Sequence, residues 1–185
     1  MNLNKLKEKV YKNAIAHGWH DENYSNAHWL CLVIAELMEA IEADRNFKYA
    51  YRNDFEESLK KLGARAGIRK WREAFEICIK DRLEDELADA CIRLLDFAGL
   101  RDLELTYTDG LSIATSSLTE YIYCLCAFIT NPDKSNVGWL DNHISYSLGW
   151  IFSWCKANNI DIEWYILQKM KYNRYRPYKH GNKKY

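Results

Sequence analysis

The chain has few residues able to stop a helix. Two prolines and eight glycines stand among 185 residues, against usual shares of about 5% and 7%. Proline removes a backbone donor and clashes inside a helix, and glycine weakens one by its freedom. Their scarcity favours long helices over a strand-and-turn fold. Hydrophobic residues make up 48% and aromatics 14% of the chain, too many for a disordered polymer. The length suits one domain, 1–185, with a core that needs no disulfides. Lys and Arg number 26, as do Asp and Glu, so the formal net charge is zero. That balance disfavours a wholly basic binder, and no stable nucleic-acid partner is expected.

The six cysteines form no CxxC pair and no short Cys/His zinc pattern. They read as buried, reduced thiols of a cytosolic protein. The N-terminus, MNLNKLKEKV, is charged and has no apolar signal region. No stretch reaches the ~18 consecutive apolar residues of a membrane span. A soluble, cytoplasmic chain without a membrane partner is the expectation.

Hydrophobic patterning predicts helices over Asn4–Ala16, Trp29–Ala43, Asp54–Leu62, Trp71–Ala98, Leu111–Ile129 and Val137–Ala157. A last helix runs to about Asn173, with Asp161 as its cap. Gly18, Gly63 and Gly99 mark expected helix ends. Residues of about 102–158 read as an added helical pair within one all-α body. Residues 174–185 form a basic tail.

The most informative helix reads WLCLVIAELMEAIEA. Twelve of its fifteen residues are apolar, and the other three are Glu36, Glu39 and Glu42. Glu36 and Glu39, three apart, share one helix face. A helix apolar nearly all round is expected to be buried, where unpaired carboxylates are costly. A bound cation resolves that conflict. Further on, EDELADA places Glu86 and Asp89 three apart on a polar stripe with Arg93 and Asp96. An ordinary Asp89–Arg93 ion pair is the bland account of that stripe. If the two acidic helices pack together, four carboxylates converge. Oxygen donors without His or Cys suit Mg²⁺, with Mn²⁺ as a substitute. Mg²⁺ commonly joins protein carboxylates to substrate phosphates. Residues 169–185 carry seven bases and no acid, interleaved with Tyr172, Tyr175, Tyr178 and Tyr185. They can supply positive charge to a polyphosphate.

These residues, Glu36-x-x-Glu39 in ELMEA, Glu86-x-x-Asp89 in EDELADA and the ending KMKYNRYRPYKHG, resemble the MazG-like nucleoside triphosphate pyrophosphohydrolases. The likeness covers about residues 17–45, 75–100 and 158–185. It implies an all-α helical bundle and Mg²⁺-dependent hydrolysis between the α- and β-phosphates of a nucleoside triphosphate. The products are a monophosphate and pyrophosphate, as in house-cleaning of the nucleotide pool. Glu36, Glu39, Glu86 and Asp89 match the metal-binding positions. Glu36 or Glu39 would also orient the attacking water. Lys169, Asn173 and Arg176 match a pattern that reaches phosphate and sugar in related dimeric dUTPases. Trp19 is a candidate to stack on the base. The resemblance also implies a homo-oligomer. The segment between Glu39 and Glu86 is longer than the family's compact pattern, and the helical pair is extra.

Other chemistries find less support. No histidine follows a glutamate at the Glu-x-x-His spacing of di-iron bundles. His17 and His20 could share a metal, but Gly18 breaks the helix between them. No nucleophile elbow, P-loop or dinucleotide motif is present. The main alternative is a non-catalytic helical nucleotide-binding or interaction module whose carboxylates are simply paired.

Overall fold

A computed structural model describes residues 2–62, 67–108 and 117–179. In chain order the helices are α1 (Leu3–Ala16), α2 (Asn26–Arg45), α3 (Arg52–Leu62) and α4 (Ile68–Cys78). Then come α5 (Leu83–Leu100), α6 (Leu118–Thr130), α7 (Trp139–Ala157) and α8 (Ile162–Arg174). The described residues contain no strand, so the fold is an all-α bundle. None of their helices is long and apolar enough to cross a membrane.

The bundle is built around α5. It packs most extensively against α2, then α1 and α8, and also meets α7. Leu87, Ala88, Ala90, Cys91, Leu94, Leu95, Phe97 and Ala98 are all buried. A helix covered on several sides must be apolar on several sides, and α5 has that composition. One continuous core draws residues from all eight helices, including Phe55 of α3 and Ile166 of α8. The expected added pair appears as α6 and α7. They pack against each other, α6 also on α2 and α7 also on α5. Ile122, Leu125, Ile129, Ile144 and Leu148 join the common core. Residues 111–116 of the expected sixth helix lie outside the described residues.

Local chemistry explains several helix ends. Ser25 caps α2 by accepting from the His28 N–H, and Asp161 caps α8 by accepting from the Trp164 N–H. Such oxygens satisfy first-turn amides that have no partner within the helix. Gly99 does not end α5 as expected. It lies inside the helix, where a Cβ would stand 2.5 Å from Tyr11 Cβ. The glycine is there to let α1 approach.

The largest departure is in the expected helix Trp71–Ala98, which is two helices. α4 stops at Cys78 and α5 starts at Leu83, with Asp81 at φ 57° between them. Asp85 Oδ2 accepts from the Asp81 N–H at 3.1 Å. The segment after α2 supplies the rest. Tyr51 N–H donates to the Cys78 carbonyl at 2.9 Å, and Leu83 N–H to the Lys48 carbonyl at 3.0 Å. Ala50 N–H donates to Glu84 at 2.7 Å. Remote backbone thus satisfies ends that neither proline nor glycine forces.

α2 also differs from expectation. Trp29, Val33, Leu37, Ala40 and Ala43 are buried, but Cys31, Ala35, Met38 and Glu39 are exposed. The helix is covered on its inner face rather than all round.

Candidate carboxylate and phosphate site

The acidic N-terminal half of α5 faces α2 on one side and α8 on the other. This follows from its central place and from periodicity. Glu86 and Asp89 are one turn apart, as are Glu36 and Glu39 of α2. Between the helices lies a cavity of about 220 Å³. Glu36, Glu39, Glu86 and Asp89 line it together with Lys169, Asn173, Arg176 and Trp19. All eight residues singled out from the sequence therefore meet at one place.

Their arrangement is tight. Glu36, Glu86 and Asp89 each offer an oxygen, and these oxygens lie within 4.8 Å of one another. Glu39 borders the same cavity but is exposed and outside this trio. A second trio, Asp81, Asp85 and Glu86, shares Glu86 with the first. Burial and crowding disfavour charge here. Burial, then repulsion from Asp89, pushes Glu86 up to about 8. The same two causes push Glu36 up to about 7. Burial raises Asp85 to about 6, against the pull of Lys169.

Three cations partly offset the acids, Lys80 by its pairing with Asp81 of the second trio. Arg93 Nε donates to Glu36 Oε1 at 3.0 Å. Arg93 thus bonds across to α2 rather than forming the Asp89–Arg93 pair of the bland account. Lys169 Nζ lies 2.5 Å from Asp85 Oδ2 and 2.7 Å from Asp89 Oδ2. Burial opposes its charge, but Asp89 and Asp85 together outweigh burial and raise its pKa. Lys169 is thus engaged with carboxylates where the family pattern implies phosphate.

These carboxylates could hold a metal ion. The first trio brings three hard oxygens close together, as Mg²⁺ or Mn²⁺ requires. Asp85 Oδ1 is buried without a hydrogen-bond partner. Among the described residues the remaining cation at the cavity is Arg176. Asn173 borders it too, with Oδ1 buried and unpartnered.

The tail takes part through its first residues. Tyr178 packs over Gly18, and its hydroxyl donates to Asp21 at 2.6 Å. Lys179 N–H donates to the His17 carbonyl at 3.0 Å. These contacts hold Arg176 beside the loop that carries Trp19. Residues 180–185 of the expected tail lie outside the described residues. Tyr172 is buried, stacked on Phe75 and bonded to Glu76 at 2.9 Å, so it serves the core.

His17 and His20 have separate partners. His17 Nδ1 lies 2.7 Å from the Asn13 carbonyl, and His20 Nε2 lies 2.8 Å from Asp96. Sequence reasoning did not single out Asp85, Asp81, Lys80 or Asn13. For Asp85 a signal existed, since it precedes Asp89 by four and both reach one lysine. For Asn13 and Lys80 none did. No family model, curated protein or solved structure matches the chain.

Proposed function

We propose that the chain is a divalent-cation-dependent nucleoside triphosphate pyrophosphohydrolase. The observation that carries this reading is the convergence of Glu36, Glu39, Glu86 and Asp89 with Asn173 and Arg176 on one cavity. The resemblance of the ExxE, ExxD and KMKYNRYRPYKHG segments to MazG-like enzymes supports the same chemistry. In it, water attacks a phosphorus of the α–β bridge. The bridging P–O bond breaks, a proton is released, and a monophosphate and pyrophosphate leave.

Glu36, Glu86 and Asp89 would hold Mg²⁺ or Mn²⁺, with Glu39 adding an oxygen from the rim. When bound, the cation supplies a Lewis acid for the phosphoryl oxygens. Lys169 keeps Asp85 and Asp89 in place. Arg176 attracts the polyphosphate, and Asn173 offers its amide. Glu36, with Arg93 fixing one oxygen, orients the attacking water. Such positioning is how an enzyme converts a bimolecular step into a local one. A homo-oligomer belongs to the same proposal.

The decisive test is pyrophosphate release from a panel of ribo- and deoxyribonucleoside triphosphates, with Mg²⁺ and without. Turnover should need the cation. Asp89→Asn or Glu39→Gln should remove it by about a hundredfold or more, with helical content unchanged. The second reading, a nucleotide-binding module, draws on the ion pairs of Lys169 and Arg93 with the carboxylates. Binding without turnover of any triphosphate would leave that reading alone.

A further inference from the structure

The cavity extends past the carboxylates. Along α5, Asp96 stands seven residues beyond Asp89, a rise of about 10 Å. At that end the wall comes from α1 and the second half of α5. Val10, Ala14 and Ile92 give it apolar surface, and Trp19 gives it an aromatic ring. Three polar side chains interrupt this lining, Asn13, Asp96 and Arg93, whose guanidinium lies 6.0 Å from the Trp19 ring. Small-molecule sites commonly have this make-up, apolar walls with a few placed polar groups.

Asp96 is the informative group. It is only 5% exposed, yet it borders the cavity. His20 fixes it through Oδ1 at 2.8 Å. Among the described residues Oδ2 has no hydrogen-bond partner. Oδ2 keeps some exposure on the cavity side, where a ligand donor can meet it. The nearby arginines have other partners, since Arg93 is bonded to Glu36 and Arg101 to Asn26 and Tyr24.

We propose that this end of the cavity is a nucleobase subsite that selects bases bearing an exocyclic amino group, cytosine, adenine or guanine, over uracil and thymine. The proposal rests on the triphosphate reading above for the direction in which the nucleotide lies. Asp96 accepts from the amino group, as carboxylates do with the cytosine amine. Uracil and thymine flank their one ring N–H with carbonyl oxygens, which a carboxylate repels. Asn13 has both donors and an acceptor for the rest of the base edge. Trp19 stacks on the ring, which any base permits. Asp96 therefore carries the choice, and Trp19 adds affinity without choosing.

The test is calorimetry of the full chain with Mg²⁺ and the α,β-imido analogues of cytidine, adenosine, guanosine and uridine triphosphates. At least one amino-bearing analogue should bind about tenfold or more tighter than the uridine analogue. Asp96→Asn keeps an acceptor for His20 and turns an amide donor toward the ligand. It should bring the ratio below about threefold or reverse it. Should that variant fold poorly, Asn13→Ala on half-buried α1 serves instead. It should weaken the preferred analogue by about tenfold and leave inorganic triphosphate unaffected. Equal binding of all four analogues, or a ratio that neither variant changes, overturns the subsite. Equal turnover of all four natural triphosphates overturns the subsite and keeps the hydrolysis reading. Base-selective binding without pyrophosphate release does the converse.

Discussion

Lys169 shows how a single side chain can hold a site together. Its Nζ serves two carboxylates, of which Asp85 is 1% exposed and Asp89 19%. A buried charge that loses its partner costs about 3–5 kcal/mol. Lys169→Met should therefore lower the unfolding free energy by about 3 kcal/mol at neutral pH. Urea denaturation measures this, and a loss under about 1 kcal/mol would mean that water or a proton replaces the lysine. Asp85→Asn made together with Lys169→Met should recover part of the loss, because the orphaned charge is gone. A double-mutant cycle tests that coupling.

At the scale of helices, two close approaches position the cavity walls. α1 meets α5 at Gly99, where a methyl group would fall 2.5 Å from Tyr11 Cβ. Gly99→Ala should cost about 1–3 kcal/mol through overpacking, although alanine is the better helix former. Thermal melting checks the sign, and a stabilised variant would show that α1 can shift freely. The tail meets the α1–α2 loop at Gly18, which has φ +75° and lies under the Tyr178 ring. Gly18→Ala strains that backbone and displaces Tyr178 and with it Arg176. In the proposed enzyme it should raise KM for the triphosphate more than it lowers kcat. An unchanged KM would separate the tail from substrate binding.

For the whole molecule, the excess of buried carboxylates has a consequence for pH. Glu36 and Glu86 rise to about 7 and about 8, from an ordinary value of 4.5. The folded state therefore holds protons that the unfolded chain would release. Their contribution is complete below about pH 4.5 and is lost as pH rises through about 7 and 8. Metal-free protein should melt at progressively lower temperature from about pH 5 to pH 9. Saturating Mg²⁺ should flatten that slope, since a bound cation replaces the protons. Calorimetric scans with chelator and with Mg²⁺ provide the comparison. Equal slopes in both would remove the cation from the site.

How much of this was legible in the sequence depends on the range of the interaction. Helix positions followed from hydrophobic period and scarce breakers, because both act within a few residues. The pairing of Glu36 with Glu39 and of Glu86 with Asp89 followed from the same local geometry. Even the charge segregation hidden in a net charge of zero pointed to a carboxylate cluster and a basic counterpart. What the sequence could not determine was who meets whom. The break at residues 79–82 has no glycine or proline and depends on hydrogen bonds from residues 48–51. Arg93 had an acid four residues away, yet it bonds Glu36 on another helix. Lys169 could equally have faced solvent or phosphate, and two acids of α5 settled its direction. His20 and Asp96, 76 positions apart, become partners only when α1 and α5 pack. Local periodicity determined the faces of this protein, and long-range packing decided which charges those faces bring together.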